Sequence, residues 1–309
     1  MSIQRIPAGD RNTWLELRQK DVTASAVAAL LDVHPFITGY ELWALKTGVI
    51  HEDPEETPEM QRGRLLEPVA VQLMRETTDW KITHNTGADQ VYLRDPAIRL
   101  GATIDVFAVD NLGSPGVVQI KSVAPQVFKS KWHNEAGELE APIGVVLQAL
   151  TEADLAGAEW AAVAPLVVGF GLDMPLCHIP INKGAMERVR EAVVDFWQMI
   201  AEGREPEPDW NKDDALLNRL GKTDNGTEVN LSGDNRLVEL LHERTILKAE
   251  IKEQEGRVKE INEEIVQKLG PHERAYVPGF SVRRPTIERR GYTVQPTTYR
   301  QLTVKALNS

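Results

Sequence analysis

Two apolar segments joined by a short turn-rich stretch restrict the fold of this 309-residue chain more than any other feature. Residues 102–109 and 117–123 are apolar or alternate between apolar and polar side chains, which is typical of strands. The stretch between them contains NLGSPG, whose residue types favour a turn. The pattern therefore predicts that these two strands form an antiparallel hairpin.

Helical and strand-like segments alternate along the rest of the chain. Apolar spacing predicts helices over residues 11–48 (with breaks), 60–76, 142–155, 185–201 and 234–269, and strands over residues 90–93, 100–109, 161–168 and 176–179. Pro68 lies inside the second helical segment and predicts a kink or a restart. This order indicates an α/β fold, in which helices flank a central mixed sheet.

A polar stretch with prolines and glycines divides the chain. We predict a core over residues 1–210, a linker over residues 211–233 and a C-terminal helical and basic extension over residues 234–309, packed on or near the core. The heptads of the long helix are irregular, so a coiled coil, a helical hairpin arm and a helix packed on the body all stay open. Short strands are predicted in the basic tail, at residues 280–284 and 291–294.

Composition limits the classes of protein to consider. The single cysteine, Cys177, excludes a disulfide framework, a cysteine-based zinc site and an iron–sulfur cluster within one chain. There is no run of about 18 apolar residues and no apolar core of a secretory signal, so we expect a cytoplasmic protein. The net charge of −11 argues against a DNA partner, but residues 274–309 carry seven Lys or Arg against one Glu.

An acid, an amide and a lysine interrupt the two apolar strands. Asp105 lies in the first strand, while Gln119 and Lys121 lie two residues apart in the second and so share a face. One interpretation is a buried Asp–Lys ion pair that closes the hairpin. The other is a divalent-metal nuclease site, with oxygen ligands from Asp105, Gln119 and the backbone carbonyl of Ile120. Lys121 would then orient the attacking water or stabilise charge on phosphorus.

Glu67 favours the interpretation of a divalent-metal site. It lies among apolar residues in RGRLLEPVA, in the helix before the strands, from which a glutamate can reach over a sheet edge. It can complete a metal site, cap a helix restarted at Pro68, or pair with Arg62 or Arg64.

Arg18, Thr23 and Ser25 form a candidate anion site. Thr23 or Ser25 is well placed as the N-cap of the helix that follows, and a helix N-terminus binds anions. Arg18 can add a bidentate clamp. The alternative is an ordinary capped helix.

Six short segments occur in the order found in a known family. They are WLELRQKDVTASAVAALL, ELWALKTG, RGRLLEP, GATIDVFAVD, VVQIKS and VVLQALTEAD, within residues 11–200. On these segments the chain resembles the YqaJ-type viral recombinases, which include phage-lambda-type exonucleases of the PD-(D/E)XK nuclease superfamily. The resemblance implies a restriction-endonuclease-like core and a 5′-to-3′ exonuclease on linear double-stranded DNA, dependent on Mg²⁺ or alternatively Mn²⁺.

The resemblance also implies a biological setting. The product would be a 3′ single strand for phage-type DNA recombination, with a phage single-strand annealing protein as partner. The enzyme would form a homotrimeric ring around its DNA, in a bacterial or phage-encoded cytoplasmic system.

Roles for several residues follow from the resemblance. Asp105 matches the metal-binding acid, Lys121 the family lysine and Glu67 the helical glutamate. Gln119 stands where most members have Glu, so the metal site loses one charge. Because superfamily members with Gln at this position are known, the amide does not imply an inactive enzyme.

Phosphate contacts are implied in the same way. Arg18, Thr23 and Ser25 match residues that hold the terminal 5′-phosphate of DNA, and Thr103 matches another hydroxyl that contacts phosphate. Gln148 matches a glutamine that faces the active site, or it is a partly buried side chain bonded to the backbone.

The segment after the second strand allows two interpretations. Lys129, Lys131, Trp132 and His133 mix cations with an aromatic ring, which suits either a DNA backbone contact or a plain surface loop.

Two other functions stay open beside the exonuclease. One is a protein that binds DNA ends and has impaired cleavage, with Gln119 as the cause. The other is an endonuclease on the same core. Digestion of linear and closed circular DNA distinguishes all three.

Overall fold

The computed structural model describes residues 2–51, 56–221 and 226–288, together with residues 302 and 304. Its helices are α1 (Arg11–Lys20), α2 (Gly39–Thr47), α3 (Pro58–Thr77), α4 (Pro125–Lys131), α5 (Ile143–Ala156), α6 (Lys183–Ala201), α7 (Asp214–Leu220) and α8 (Asn235–Leu269). Its strands are β1 (Gln4–Pro7), β2 (Val22–Thr23), β3 (Lys81–His84), β4 (Val91–Asp95), β5 (Leu100–Thr103), β6 (Val106–Val109), β7 (Pro115–Val123), β8 (Trp160–Val168), β9 (Leu172–Asp173), β10 (Cys177–Ile179), β11 (Arg274–Val277) and β12 (Phe280–Arg283).

The central sheet is mixed. Its strands lie in the order β10-β8-β7-β6-β3, with β9 paired to β8. Strands β7 and β8 run parallel, whereas β6 runs antiparallel to both β7 and β3. A second sheet has the order β1-β4-β5-β2 and contains one parallel pair, β2 with β5. The predicted α/β fold with a central mixed sheet is confirmed.

Helices cover both faces of the central sheet. Along β7, Val117 and Val123 belong to the apolar cluster that includes residues of α5 and α6. The alternate residues Val118 and Ile120 belong to a separate cluster with α3. Because side chains alternate along a strand, Gln119 lies on the face that α5 covers, opposite to α3.

The predicted hairpin is confirmed, but it is shorter than expected. Strand β6 pairs with β7 only from Val106 opposite Val118 to Val109 opposite Pro115. The prediction of one strand over residues 100–109 is wrong, because the chain breaks after Thr103 and β5 joins the second sheet. At the break, the side chain of Asn85 donates to the Ile104 carbonyl, so this backbone group is paired outside the hairpin.

The N-terminal region contains less helix than predicted. Between α1 and α2 the chain forms β2 and a short 3₁₀ helix, Val27–Leu31, instead of an α-helix. Strand β3 had no prediction, and the stretch predicted as a linker contains α7. The buried Asp213 before α7 accepts a hydrogen bond from Thr38 at 2.7 Å. Because these residues are far apart in the sequence, the spacing of apolar residues around α7 does not reveal this contact.

Helix α3 runs through Pro68 as one element. It begins after Thr57, whose hydroxyl accepts from the Met60 N–H, and Pro58 occupies a first-turn position where its missing N–H has no helical partner to lose. A restart at Pro68, one of the two predicted outcomes, does not occur.

The chain divides into two compact units, Met1–Leu217 and Asn218–Ser309. In the second unit, α8 begins after Asp234, whose carboxylate accepts from the Leu237 N–H. Apolar residues such as Ile251 and Val258 on α8 are each 56% exposed. Strands β11 and β12 form a hairpin, while the strand predicted at residues 291–294 lies outside the described residues. Within the described part of the chain, no helix has the length and apolar character of a membrane span.

Candidate active site

The carboxylate of Asp105 lies at the break between β5 and β6 and contacts β7. Its Oδ2 accepts a hydrogen bond from the Ile120 N–H at 2.8 Å and another from Gln119 Nε2 at 2.5 Å. Gln119 Nε2 also donates to the Ile120 carbonyl oxygen at 3.1 Å. Because the chain breaks between β5 and β6, the Asp105 carboxylate faces the backbone of β7.

Lys121 is held by an amide and not by an acid. Its Nζ donates to Gln148 Oε1 at 2.8 Å, and among the ion pairs of the described residues none joins it to Asp105. Gln148 Nε2 donates to Gln119 Oε1 at 2.7 Å. The interpretation of a closing Asp105–Lys121 ion pair is therefore wrong, as is that of Gln148 bonded to the backbone.

Glu152 belongs to the same network, although it is not among the predicted site residues. It lies on α5 one turn after Gln148, and its Oε1 accepts from Gln148 Nε2 at 2.9 Å. Glu152 is only 1% exposed, and its Oε2 has no hydrogen-bond partner among the described residues. An acid four residues after a site glutamine on an apolar helix was the available signal, because such residues share a helix face.

Burial raises the pKa of both acids in this network. The pKa of Asp105 rises to about 7, mainly through burial and then through the negative charge of Glu67, while Lys121 opposes the rise. Burial raises the pKa of Glu152 well above its ordinary value, and the charge of Asp105 adds to the effect. Perturbed acids in one cluster are typical of functional sites, and a bound cation would stabilise their ionised forms.

Glu67 is held by a residue that had no prediction, His84 at the end of β3. His84 Nε2 lies 2.6 Å from Glu67 Oε1. Because Thr57 caps α3, Glu67 does not cap a helix. Arg62 contacts a backbone carbonyl and Arg64 binds another glutamate, so neither of these arginines is the partner of Glu67.

The oxygen atoms at the strand break fit a divalent cation. Asp105 Oδ2 and the Ile120 carbonyl oxygen both lie within 3.1 Å of one atom, Gln119 Nε2, so they converge on a single point. Oxygen ligands of this kind suit Mg²⁺. As oriented, Gln119 presents nitrogen there, so its predicted role as an oxygen ligand requires the amide to turn. Among the described residues, no three His, Cys, Asp or Glu form a metal-binding group, but the charge of Glu67 raises the pKa of Asp105, so its role as a further ligand stays a prediction.

A second polar group surrounds Arg18. Its guanidinium carbon lies 4.5 Å from the ring centroid of Trp14, whose Nε1 donates to Thr103 Oγ1 at 2.9 Å. The hydroxyls of Thr23 and Ser25 lie 3.0 Å apart. Arg18 Nε is buried and has no hydrogen-bond partner in the described part of the chain. A buried donor without a partner fits an anionic ligand.

The predicted helix cap in this region is wrong. The 3₁₀ helix begins after Ala26, which provides no side-chain cap, and it has only five residues. Thr23 lies in β2 and pairs with Gly101, because the strand satisfies its backbone before any helix begins. The anion site therefore depends on Arg18 and the hydroxyls, and not on a helix N-terminus.

The segment after β7 is partly core. Trp132 is 3% exposed, and its ring packs with Phe128 at a centroid distance of 6.2 Å. It is therefore not available to stack on a DNA base. Lys129 and Lys131 end α4 and carry the remaining positive charge of this segment.

The part of the chain that contains the candidate site is similar to a known family. Residues 13–159 match the model of the YqaJ-like viral recombinase domain. Over these residues the chain is similar to that family. The match confirms the resemblance drawn from the six segments.

Two known proteins are similar to longer parts of the chain. The uncharacterized protein YqaJ of Bacillus subtilis (strain 168) is 22% identical over 274 residues, which cover 87% of this chain and 82% of that protein. An alkaline exonuclease structure from Laribacter hongkongensis has a TM-score of 0.47 and 21% identity, over 62% of this chain and 93% of that one.

The residues that match the family model include every predicted site residue. The N-terminal boundary falls within α1, before Arg18, and the C-terminal boundary falls after α5, which carries Gln148 and Glu152.

Proposed function

We propose that this protein is a metal-dependent exonuclease that degrades linear double-stranded DNA from 5′ to 3′ and leaves a 3′ single strand. The observation that carries the proposal is the convergence of Asp105 Oδ2 and the Ile120 carbonyl on one point, beside Lys121 and inside a YqaJ-like domain. The direction of digestion, the dependence on Mg²⁺ or Mn²⁺ and the recombination setting are supported by the family resemblance.

Each residue of the network has a distinct task in this proposal. Asp105 and the Ile120 carbonyl would hold the cation, with Gln119 or Glu67 as further ligands. When bound, the cation polarises the scissile phosphate and makes a water more acidic. Lys121 stabilises negative charge that develops on the phosphate, or assists proton removal from the attacking water.

Arg18 and its neighbours would bind the end of the DNA. The buried Nε of Arg18 donates to the terminal 5′-phosphate, and the hydroxyls of Thr23, Ser25 and Thr103 add hydrogen bonds to phosphate oxygens. Contacts of this kind read the backbone and not the base sequence, so DNA binding should weaken with added salt.

The proposed assembly is a homotrimeric ring that encloses the duplex, and the proposed partner is a phage single-strand annealing protein. Both proposals derive from the family resemblance. Sedimentation of the free protein tests the first, and co-elution with the annealing protein tests the second.

Digestion of matched DNA substrates tests the proposed function. Linear duplex, closed circular plasmid and nicked plasmid are incubated with the protein, with and without Mg²⁺. We expect loss of the linear duplex only, and only with Mg²⁺. Nicking of closed circles would indicate an endonuclease, and retention of linear DNA without digestion would indicate a protein that binds ends. A label at one 5′ end or one 3′ end gives the direction.

The chemistry of the DNA end should affect the rate. We expect DNA with a 5′-phosphate to be digested about 10 to 100 times faster than DNA with a 5′-hydroxyl, because a hydrogen bond to a charged group contributes roughly 1.5–3 kcal/mol. Arg18→Ala should remove most of this difference, and Arg18→Lys should restore only part of it, since lysine lacks the bidentate geometry.

Arg75→Ala is the control for this experiment, because Arg75 is an exposed arginine on α3. It should retain the full preference for the 5′-phosphate. Equal rates on both DNA ends in the unaltered protein would contradict the phosphate role of Arg18, Thr23 and Ser25.

Gln119→Glu restores the acid that most family members carry. We expect Mg²⁺ affinity, measured by titration calorimetry, to rise by about tenfold, because ligand charge strengthens binding of a hard cation. Activity should equal or exceed that of the unaltered protein. Gln254→Glu on the exposed face of α8 adds the same charge elsewhere and should change neither quantity. A sharp loss of activity in a folded Gln119→Glu variant would mean that the amide itself is required.

A further inference from the structure

The direction of the Gln148 amide follows from its neighbours. A lysine ammonium can only donate hydrogen bonds, so the oxygen of Gln148 must face Lys121, from which it accepts at 2.8 Å. The nitrogen of Gln148 must then face the other side. It donates there to Gln119 Oε1 at 2.7 Å and to Glu152 Oε1 at 2.9 Å.

Two acceptors share the Gln148 nitrogen, and they are held differently. Gln119 offers its oxygen while its own nitrogen donates to Asp105 Oδ2 and to the Ile120 carbonyl. An amide has one donor end and one acceptor end, so a Gln119 that turns its oxygen to a cation presents its nitrogen to Gln148 and no longer accepts from it. The accepting carboxyl oxygen of Glu152 does not invert, so with a cation bound, Lys121 and Glu152 are the two groups that set the direction of the Gln148 amide.

We propose that Glu152 is a positioning residue for Lys121 and acts through Gln148. If Gln148 inverts, its NH₂ group faces the ammonium, and Lys121 must leave the position beside Asp105. Three observations support a functional role over a packing role. Glu152 is buried, its second oxygen has no hydrogen-bond partner in the described chain, and its bonded oxygen contacts a site residue. This inference rests on the proposed function, in which Lys121 acts on the phosphate.

The first test observes the amide directly, in the presence of Mg²⁺ and without DNA. Protein labelled with ¹⁵N-glutamine should show one side-chain NH₂ pair for Gln148, assigned by its loss in Gln148→Leu. In Glu152→Gln, the amide at position 152 can donate as well as accept, so the Gln148 pair should broaden or double. Glu159→Gln, at an exposed acid just after α5, should leave the pair unchanged. An unchanged Gln148 pair in Glu152→Gln overturns the proposal.

The second test uses a double-mutant cycle on the whole protein. Glu152→Gln should lower kcat on linear duplex DNA by about tenfold or more, with the melting temperature measured in parallel. In the Gln119→Glu background the same change should lower kcat less than about twofold, because a carboxylate at position 119 can only accept and holds the Gln148 amide instead. Equal losses in both backgrounds would indicate a packing role and overturn the proposal. If the unaltered protein digests no DNA, the proposed function fails, while the amide resonances still decide the role of Glu152.

Discussion

Replacing Asp105 by alanine is expected to lower the rate of DNA cleavage by about 10³-fold or more. Asp105 supplies the carboxylate oxygen that converges with the Ile120 carbonyl at the proposed cation position. Assistance by a metal ion contributes several kcal/mol, and about 4 kcal/mol corresponds to about 10³ in rate. The measurement is the initial rate of nucleotide release from linear duplex DNA at saturating Mg²⁺.

Two further variants separate charge from fold. Asp105→Asn keeps the size of the side chain but removes its charge, so it should lose nearly as much activity as Asp105→Ala. Asp173→Ala removes an exposed acid of β9 and should retain full activity. Thermal unfolding shows whether each variant folds. A folded Asp105→Ala variant with near-normal turnover would show that the proposed site is wrong.

Replacing Lys121 by alanine should lower kcat by about 10²–10⁴-fold, the usual range for a positioned group that transfers a proton or stabilises charge. Among the residues that the structure describes, its ammonium is the one cationic group hydrogen-bonded in the Asp105–Gln148 network. Gln148→Ala should lower kcat less, since it removes the group that positions the ammonium and leaves the ammonium itself. Single-turnover rates on a short duplex provide the measurement.

Lys121→Met is the sharper form of this experiment, because it keeps most of the side-chain length and removes the charged, hydrogen-bonding end. Lys81→Ala, at an exposed lysine on β3, is the control and should leave kcat unchanged. If Lys121→Met retains more than about a tenth of the normal kcat, the ammonium does not act on the phosphate.

Several elements could be predicted because their signal is local. The turn residues of NLGSPG and the apolar strands beside them specify the β6–β7 hairpin without help from distant residues. The buried parallel strand β8 is a continuous apolar run, and α5, α6 and α8 show helical spacing over two or more turns. Periodicity alone was sufficient for these elements.

Other elements depended on distant partners. The strand predicted over residues 100–109 breaks in two because Asn85 pairs with the backbone at the break, and β2 exists because β5 lies beside it. Glu152 had no prediction because it lies in TEADLA, a polar segment at the end of a helix, which is typical of an exposed helix end. Its burial is visible only in the structure. Likewise, the sequence shows no link between His84 and Glu67, which are 17 residues apart and lie on different elements.

The sequence by itself determined the main helices, the central hairpin, and the placement of Asp105, Gln119 and Lys121 close to one another in that hairpin region. Periodicity and turn residues act within a few positions, so they can be recognised in a single chain. Only the tertiary structure decided which atoms of that group face each other. The direction of the Gln148 amide, the orphaned nitrogen of Arg18 and the burial of Glu152 depend on packing between α5, β7 and their neighbours. Hydrogen-bond direction is set by the donors and acceptors that packing brings within about 3 Å, and these come from residues far apart in the chain.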